Sequence, residues 1–270
     1  MCSTVVQENN VSMSAGTLVV IRERSFLELL DLSLAAVRRR PVALGLAAAA
    51  GIVPFAALIA WLTTLPSWSD GWYILLWLVE SPWATAPLTV VLGGMMFGTR
   101  PTARQVAFRV LHAAPALFLY QTVLRWLSML LWVTYLFFPA RQAFLNEVIL
   151  LEGGLFAQTL KRSAALCAQR GGEFLGQWLA RIAFGLAFII CFWYGSRVLL
   201  DALTTSTLTW RPVEEAPIAD PLMQFAVWLT IAFMAVTRFF GYIDQRIRLE
   251  GWEVELRLRA VGRVSRGNLQ

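Results

Sequence analysis

Apolar residues in this 270-residue chain fall into long blocks separated by short polar stretches, and no short motif organises it as strongly. Residues 42–65, 71–98, 115–138, 174–196 and 222–242 each reach or exceed the ~20 residues a helix needs to cross a hydrocarbon core of ~30 Å. Blocks of that length are helical rather than strand-like. The expected fold is therefore all-α, a polytopic helical membrane protein occupying 25–242. Residues 1–24 are polar and without periodicity, which predicts disorder, and they contain no apolar core with a cleavage site, so no removable signal peptide is expected. Ser25-Phe26-Leu27-Glu28 has the form of a capping box and predicts an interfacial helix over 25–39, closed by Arg38-Arg39-Arg40, with Pro41 opening the first span.

Inside the blocks, Glu80, Pro82 and Pro87 interrupt 71–98, which predicts a tilt or kink there. Arg100, Arg104 and Arg109 lie on an amphipathic approach to the third block, which holds Arg125 near its centre. The mixed stretch 139–151 carries Arg141, Asn146 and Glu147. An amphipathic helix is expected around 155–167, ended by Gly171-Gly172. The tail, 243–270, supports two readings. Residues 252–259 alternate like a strand, whereas Asp244/Arg248, Arg246/Glu250 and Glu255/Arg259 are helical i,i+4 pairs. With no partner strand evident, a cytoplasmic helix continuing from the last span, broken near Gly251 and docked on 155–167 or on a soluble partner, is the expectation.

Composition agrees with the blocks: 58% of residues are hydrophobic and 15% charged, with twelve Trp and seventeen Phe. An ordinary soluble enzyme is excluded. The net charge of +6 comes from 23 basic residues, 22 of them Arg, placed at block ends. That placement points to orientation signals and anionic lipid on the cytoplasmic side, not to nucleic acid. It also bears on whether 139–151 crosses. If it does, eighteen of the 23 basic residues fall on one side and only Arg141 and Arg211 on the other. If it does not, nine face eleven. Six crossings with both termini cytoplasmic are therefore expected, in the inner membrane, although thirteen residues of helix cover only ~20 Å. A division of 104–138 into two short crossings near Arg125 is the competing scheme.

Glu147-Val-Ile-Leu-Leu-Glu152 followed by Leu160-Lys161-Arg162-Ser163, together with the ending Tyr242-Ile-Asp244-Gln-Arg246-Ile-Arg248-Leu-Glu250-Gly251, resembles bacterial six-span proteins of the type found as the membrane domain of glycerophosphoryl diester phosphodiesterases. The resemblance covers about residues 40–260 and implies six helices with a short fourth crossing. It implies no catalysis, since no phosphodiesterase domain accompanies it. Glu80-Ser-Pro82-Trp83-Ala-Thr-Ala-Pro87 looks like a set motif of a narrower uncharacterised subgroup.

Ionisable residues inside spans are functional candidates because burying them costs about 2.5–3.5 kcal/mol each on insertion scales. The candidate intramembrane site is Glu80, Arg125, Arg141 and Glu147, with a Glu80–Arg125 pair as the simplest way to lower both costs. Arg238 is expected to snorkel and Arg197 to pair with Asp201. The candidate cytoplasmic interaction surface is Glu152, Lys161, Arg162, Asp244, Arg246, Arg248 and Glu250. Cys2, Cys167 and Cys191 have no disulfide or metal spacing. His112 is the single histidine, so no histidine metal cluster forms and no triad is visible. Gly94-Met-Met-Phe-Gly98 has GxxxG spacing. Arg170-Gly171-Gly172-Glu173-Phe174 falls one acidic residue short of a signalling cyclase signature. No catalytic residue, metal or cofactor is expected. The sequence suggests a non-enzymatic scaffold or accessory subunit, with a small transporter or lipid-handling permease using Glu80 and Arg125 as the alternative.

Overall fold

The structure, a computed structural model, describes residues 25–62, 64, 70–96, 98–99, 101–130, 142–153, 156–168, 171–204, 218 and 220–250. The expected disorder at 1–24, Arg141 and the strand-or-helix question at 252–259 lie outside them. All regular elements among the described residues are helical. Five helices are long and apolar enough to cross a membrane: Pro41–Leu62, Gly71–Met96, Ala103–Ser128, Gly171–Leu200 and Pro221–Leu249. The chain is a helical membrane protein.

Helix α1 is Phe26–Arg39. Ser25 Oγ accepts from the Glu28 amide at 3.4 Å and the Ser25 amide donates to Glu28 Oε2 at 3.0 Å, so the anticipated box closes in both directions. Its Leu29, Ser33 and Ala36 are buried at helical spacing. Helix α2, Pro41–Leu62, starts on a proline, whose missing N–H has no partner to lose in a first turn. Gly51 lets α2 meet the next helices closely: a Cβ there would overlap the Ala84 carbonyl oxygen.

Helices α3, Asp70–Ala84, and α4, Ala86–Met96, are one span broken at Thr85. The two prolines account for the break. Pro82 has no N–H to offer the Leu78 carbonyl, and the Ser81 hydroxyl takes its place at 3.2 Å. Thr85 Oγ1 donates to the Ser81 carbonyl at 2.7 Å. The Glu80-to-Pro87 motif is thus a helix break whose freed backbone is satisfied locally.

The third span begins earlier than its apolar block. Helix α5, Ala103–Leu117, opens with a Thr102–Gln105 capping box and runs through a π-helical turn, Phe118–Leu124, into α6, Arg125–Leu130. The stretch 103–114, read in the sequence as an approach, is the span's own first three turns. Gly94 proves to serve a turn rather than a second helix, because a Cβ there would lie 2.7 Å from Pro101 Cδ.

Helix α7, Leu145–Leu151, is the described part of the expected fourth crossing. Its seven residues span about 10 Å. Residues Leu145 to Leu150 are all buried, including Asn146 and Glu147. Helix α8, Phe156–Cys167, precedes α9, Gly171–Thr204, which Gly171 opens; the Gly-Gly pair therefore begins a helix instead of ending one. Helix α10, Pro221–Glu250, runs unbroken past the predicted span end at 242, as the helical reading of the tail required. It is the hub. A single core joins its Val236, Phe239, Tyr242 and Ile243 to Leu29 of α1, Leu44 of α2, Leu92 of α4, Val148 of α7 and Phe174 of α9.

Candidate functional site

Helix α7 brings its polar residues to two places. At its start, Asn146 Nδ2 donates to the Pro82 carbonyl at 3.4 Å, so α7 seats against the α3–α4 break. At its end, Leu151 lies over Gly93, where a Cβ would come within 2.5 Å of Leu151 Cδ2. The helix therefore runs alongside α4 from the break towards the α4 C-terminus.

Glu147, one residue on, is fully enclosed. Its Oε1 accepts from Arg238 Nε of α10 at 2.6 Å, and the Glu147 side chain has no exposure while that of Arg238 keeps 24%. Arg181 of α9 is close enough to interact electrostatically with both, and its Nε donates to the Gln177 carbonyl at 3.2 Å. One carboxylate thus faces two guanidinium groups. Among the described residues Glu147 Oε2 and Arg238 Nη2 are buried with no hydrogen-bond partner, so within them the pair is not saturated, and Asn146 Oδ1 and the Ser163 hydroxyl are buried in the same state.

A second cluster follows about one turn along the same helices. Glu152 accepts from Tyr242 Oη at 2.7 Å and from Arg162 Nε at 2.9 Å, and Arg246 Nη1 stands 3.5 Å from it. Arg246 also donates to Tyr242 Oη at 3.2 Å. Gln245 Nε2 donates to the Leu166 carbonyl at 2.8 Å, which docks α10 on α8 as expected. Beside this seam the Cys167 thiol is buried, and burial pushes its pKa up to about 11 against the lowering effect of the Ala143 and Phe144 amides.

These contacts correct the sequence expectations in several respects. Glu147 is buried and pairs with Arg238, a partner the sequence reading did not assign to it. Among the described residues no ion pair joins Glu80 to Arg125; Glu80 Oε2 is buried without a partner and Arg125 is half-buried at the start of α6. Arg197 pairs with Asp220 at 2.8 Å, and Trp193 Nε1 donates to the same carboxylate, while the side chain of Asp201, the expected partner, lies outside the described residues. Of the expected interaction surface, Glu152, Arg162 and Arg246 are bonded within the chain, and Asp244 holds Arg248 at 2.8 Å in the foreseen i,i+4 pair. Lys161 is exposed. Arg181, Asp220, Tyr242 and Gln245 were missed. The spacing of Arg238, Tyr242, Gln245 and Arg246 on one helical face was the available signal.

Among the described residues no group of three or more His, Cys, Asp or Glu is placed to hold a metal. His112 is exposed and stacks on Phe108 at 6.2 Å. An apolar groove of about 660 Å³ opens between α2 and α10, floored by Ala48, Ala49, Ala56 and Ala60 on one side and Trp228 and Leu229 on the other. Neither a family model, nor a curated protein, nor a solved structure matches the chain.

Proposed function

We propose that this protein is a non-catalytic scaffold or accessory subunit of a membrane complex, sitting in a bacterial cytoplasmic membrane with both termini inside. It crosses six times, with α7 as the inner half of the fourth crossing, in the manner of the membrane domain of glycerophosphoryl diester phosphodiesterases. One observation carries the reading. Among the described residues, charged side chains that tie the helices together are spent on one another, as Glu147 on Arg238 and Glu152 on Arg162, Tyr242 and Arg246, while the α2–α10 groove leaves small residues open at the surface of two candidate spans. Small residues let another helix approach closely, the usual means of association where lipid removes the hydrophobic drive.

The test is native mass measurement of the chain released from its own membranes in mild detergent, with Ala49→Trp and Ala56→Trp as groove-filling variants. A stoichiometric complex that these variants dissolve, while the chain keeps its thermal transition, is the expected result. A monomer in both cases overturns the reading. Truncation at 243 is unsuitable for this purpose, because Ile243 and Gln245 are themselves buried.

A small transporter or lipid-handling permease is the second reading. It is favoured by Glu80 Oε2 on the broken span and Asn146 Oδ1 and Glu147 Oε2 on α7, buried acceptors without a partner among the described residues. Glu80→Gln that abolishes uptake or lipid movement in vesicles without loss of folded protein would establish it.

A further inference from the structure

The turn between α4 and α5 borders a cavity of about 1030 Å³ whose lining includes Thr99, Arg104, Gln105, Phe108, Arg109 and Leu111. Among the described residues no Asp or Glu lines it. Arg104 and Arg109 are exposed, and among the described residues neither takes part in an ion pair or hydrogen bond. This sets them apart from Arg162, Arg197, Arg238, Arg246 and Arg248, all of which hold a carboxylate. The apolar residues beside them are equally unused: Phe108 is 70% and Leu111 71% exposed. His112, stacked on Phe108, adds a third basic group and, with Phe108 and Arg109, lines a second cavity of about 470 Å³. Glu152, the one acid among the described residues that line it, is already held by Arg162 and Tyr242.

This combination sits where the candidate span Ala103–Ser128 begins, and the end of a span is where a bilayer presents its headgroups. Two guanidinium groups that line one cavity and hold no carboxylate among the described residues call for an anion, and the fork of each receives the oxygens of a phosphodiester. A free phosphate would engage the arginines and leave the ring and the leucine in water. An amphiphile uses both. We propose that the α4–α5 cavity binds an anionic phospholipid, its headgroup phosphate between Arg104 and Arg109 and its upper acyl chains along Phe108 and Leu111.

The experiment incorporates the full chain into vesicles of equal phosphatidylglycerol and phosphatidylcholine, extracts it in mild detergent and counts retained lipids by native mass spectrometry. The wild type is expected to keep phosphatidylglycerol in preference. Arg104→Gln with Arg109→Gln should cut that preference roughly thirtyfold, about fivefold for each arginine. Phe108→Ala with Leu111→Ala should weaken retention of both lipids alike. Arg38→Gln with Arg39→Gln, exposed charges on α1, should change nothing. Millimolar inorganic phosphate should not displace the lipid. An unchanged preference in the arginine double variant overturns the site, as does an equal loss from the α1 variant, which would mean diffuse surface charge. Displacement by phosphate would overturn the lipid as its ligand. Should the double variant fail to keep the wild-type melting transition in phosphatidylcholine alone, Arg104→Gln by itself carries the test through its fivefold step.

Discussion

Replacing Glu147 by Gln removes the carboxylate that faces both Arg238 and Arg181. Breaking a buried ion pair from one side costs about 3–5 kcal/mol, because the partner is left charged and desolvated. The geometry makes the two sides unequal. Glu147 has no side-chain exposure, and its loss leaves two guanidinium groups facing each other. Arg238 keeps 24% exposure, and its loss leaves Arg181 beside the carboxylate. E147Q is therefore expected near the upper end of that range and R238M below its lower end, at about 1–3 kcal/mol. The double variant E147L/R238M places apolar side chains where a pair was and should recover most of the loss. Unfolding of the purified protein by sodium dodecyl sulfate, followed by Trp fluorescence, measures all three. A coupling of about 2 kcal/mol or more between the positions is expected. Additive losses, or R238M costing more than E147Q, would refute the placement of Arg181 in this centre and the account of Glu147 as the counter-charge to both arginines.

Gly51→Leu is expected to cost several kcal/mol and most of the folded yield, since its side chain would meet the backbone of Ala84, whereas Gly45→Leu, with open space around it, should be tolerated; melting temperatures of the two variants decide this. In a Cys2→Ser, Cys191→Ser background, Cys167 should resist a soluble maleimide at pH 7.5 and react at the normal rate once the chain is unfolded. Because its pKa is raised by folding, from 9.0 to about 11, the folded state retains the proton longer than the unfolded state. The stability this site contributes is complete below pH 9 and declines as pH rises through 11, which a melting series against a Cys167→Ala control would register.

The legible part of the molecule is the part that local pattern controls. The capping box at Ser25, the entry at Pro41, the kink near Pro82 and the Asp244–Arg248 pair each depend on residues within a few positions, and each is found. The start of the third span was misplaced by a dozen residues, because hydropathy registers the apolar block and not the polar first turns of the same helix; the Thr102–Gln105 box was the signal that marks it. Partners were the hardest to read. Glu147 stands out by its burial cost alone, but its partner lies 91 residues away, and a one-dimensional pattern ranks Arg125, Arg141 and Arg238 alike as arginines among apolar residues. What distinguishes Arg238 is the face of α10 that packs inward, a property of the assembled bundle.

The place of α10 in the chain has a consequence in time. It is the last of the described helices, yet the core of α1, α2, α4, α7 and α9 closes on it. During synthesis at roughly 5–20 residues per second, Glu147 therefore waits about 5–20 seconds for Arg238 to be made. Until then the earlier helices enter the bilayer with their inner faces uncovered and this carboxylate without the arginine it pairs with. The bundle is locked from its C-terminal end, so a ribosome stalled before residue 221 releases an assembly of spans that lacks its centre.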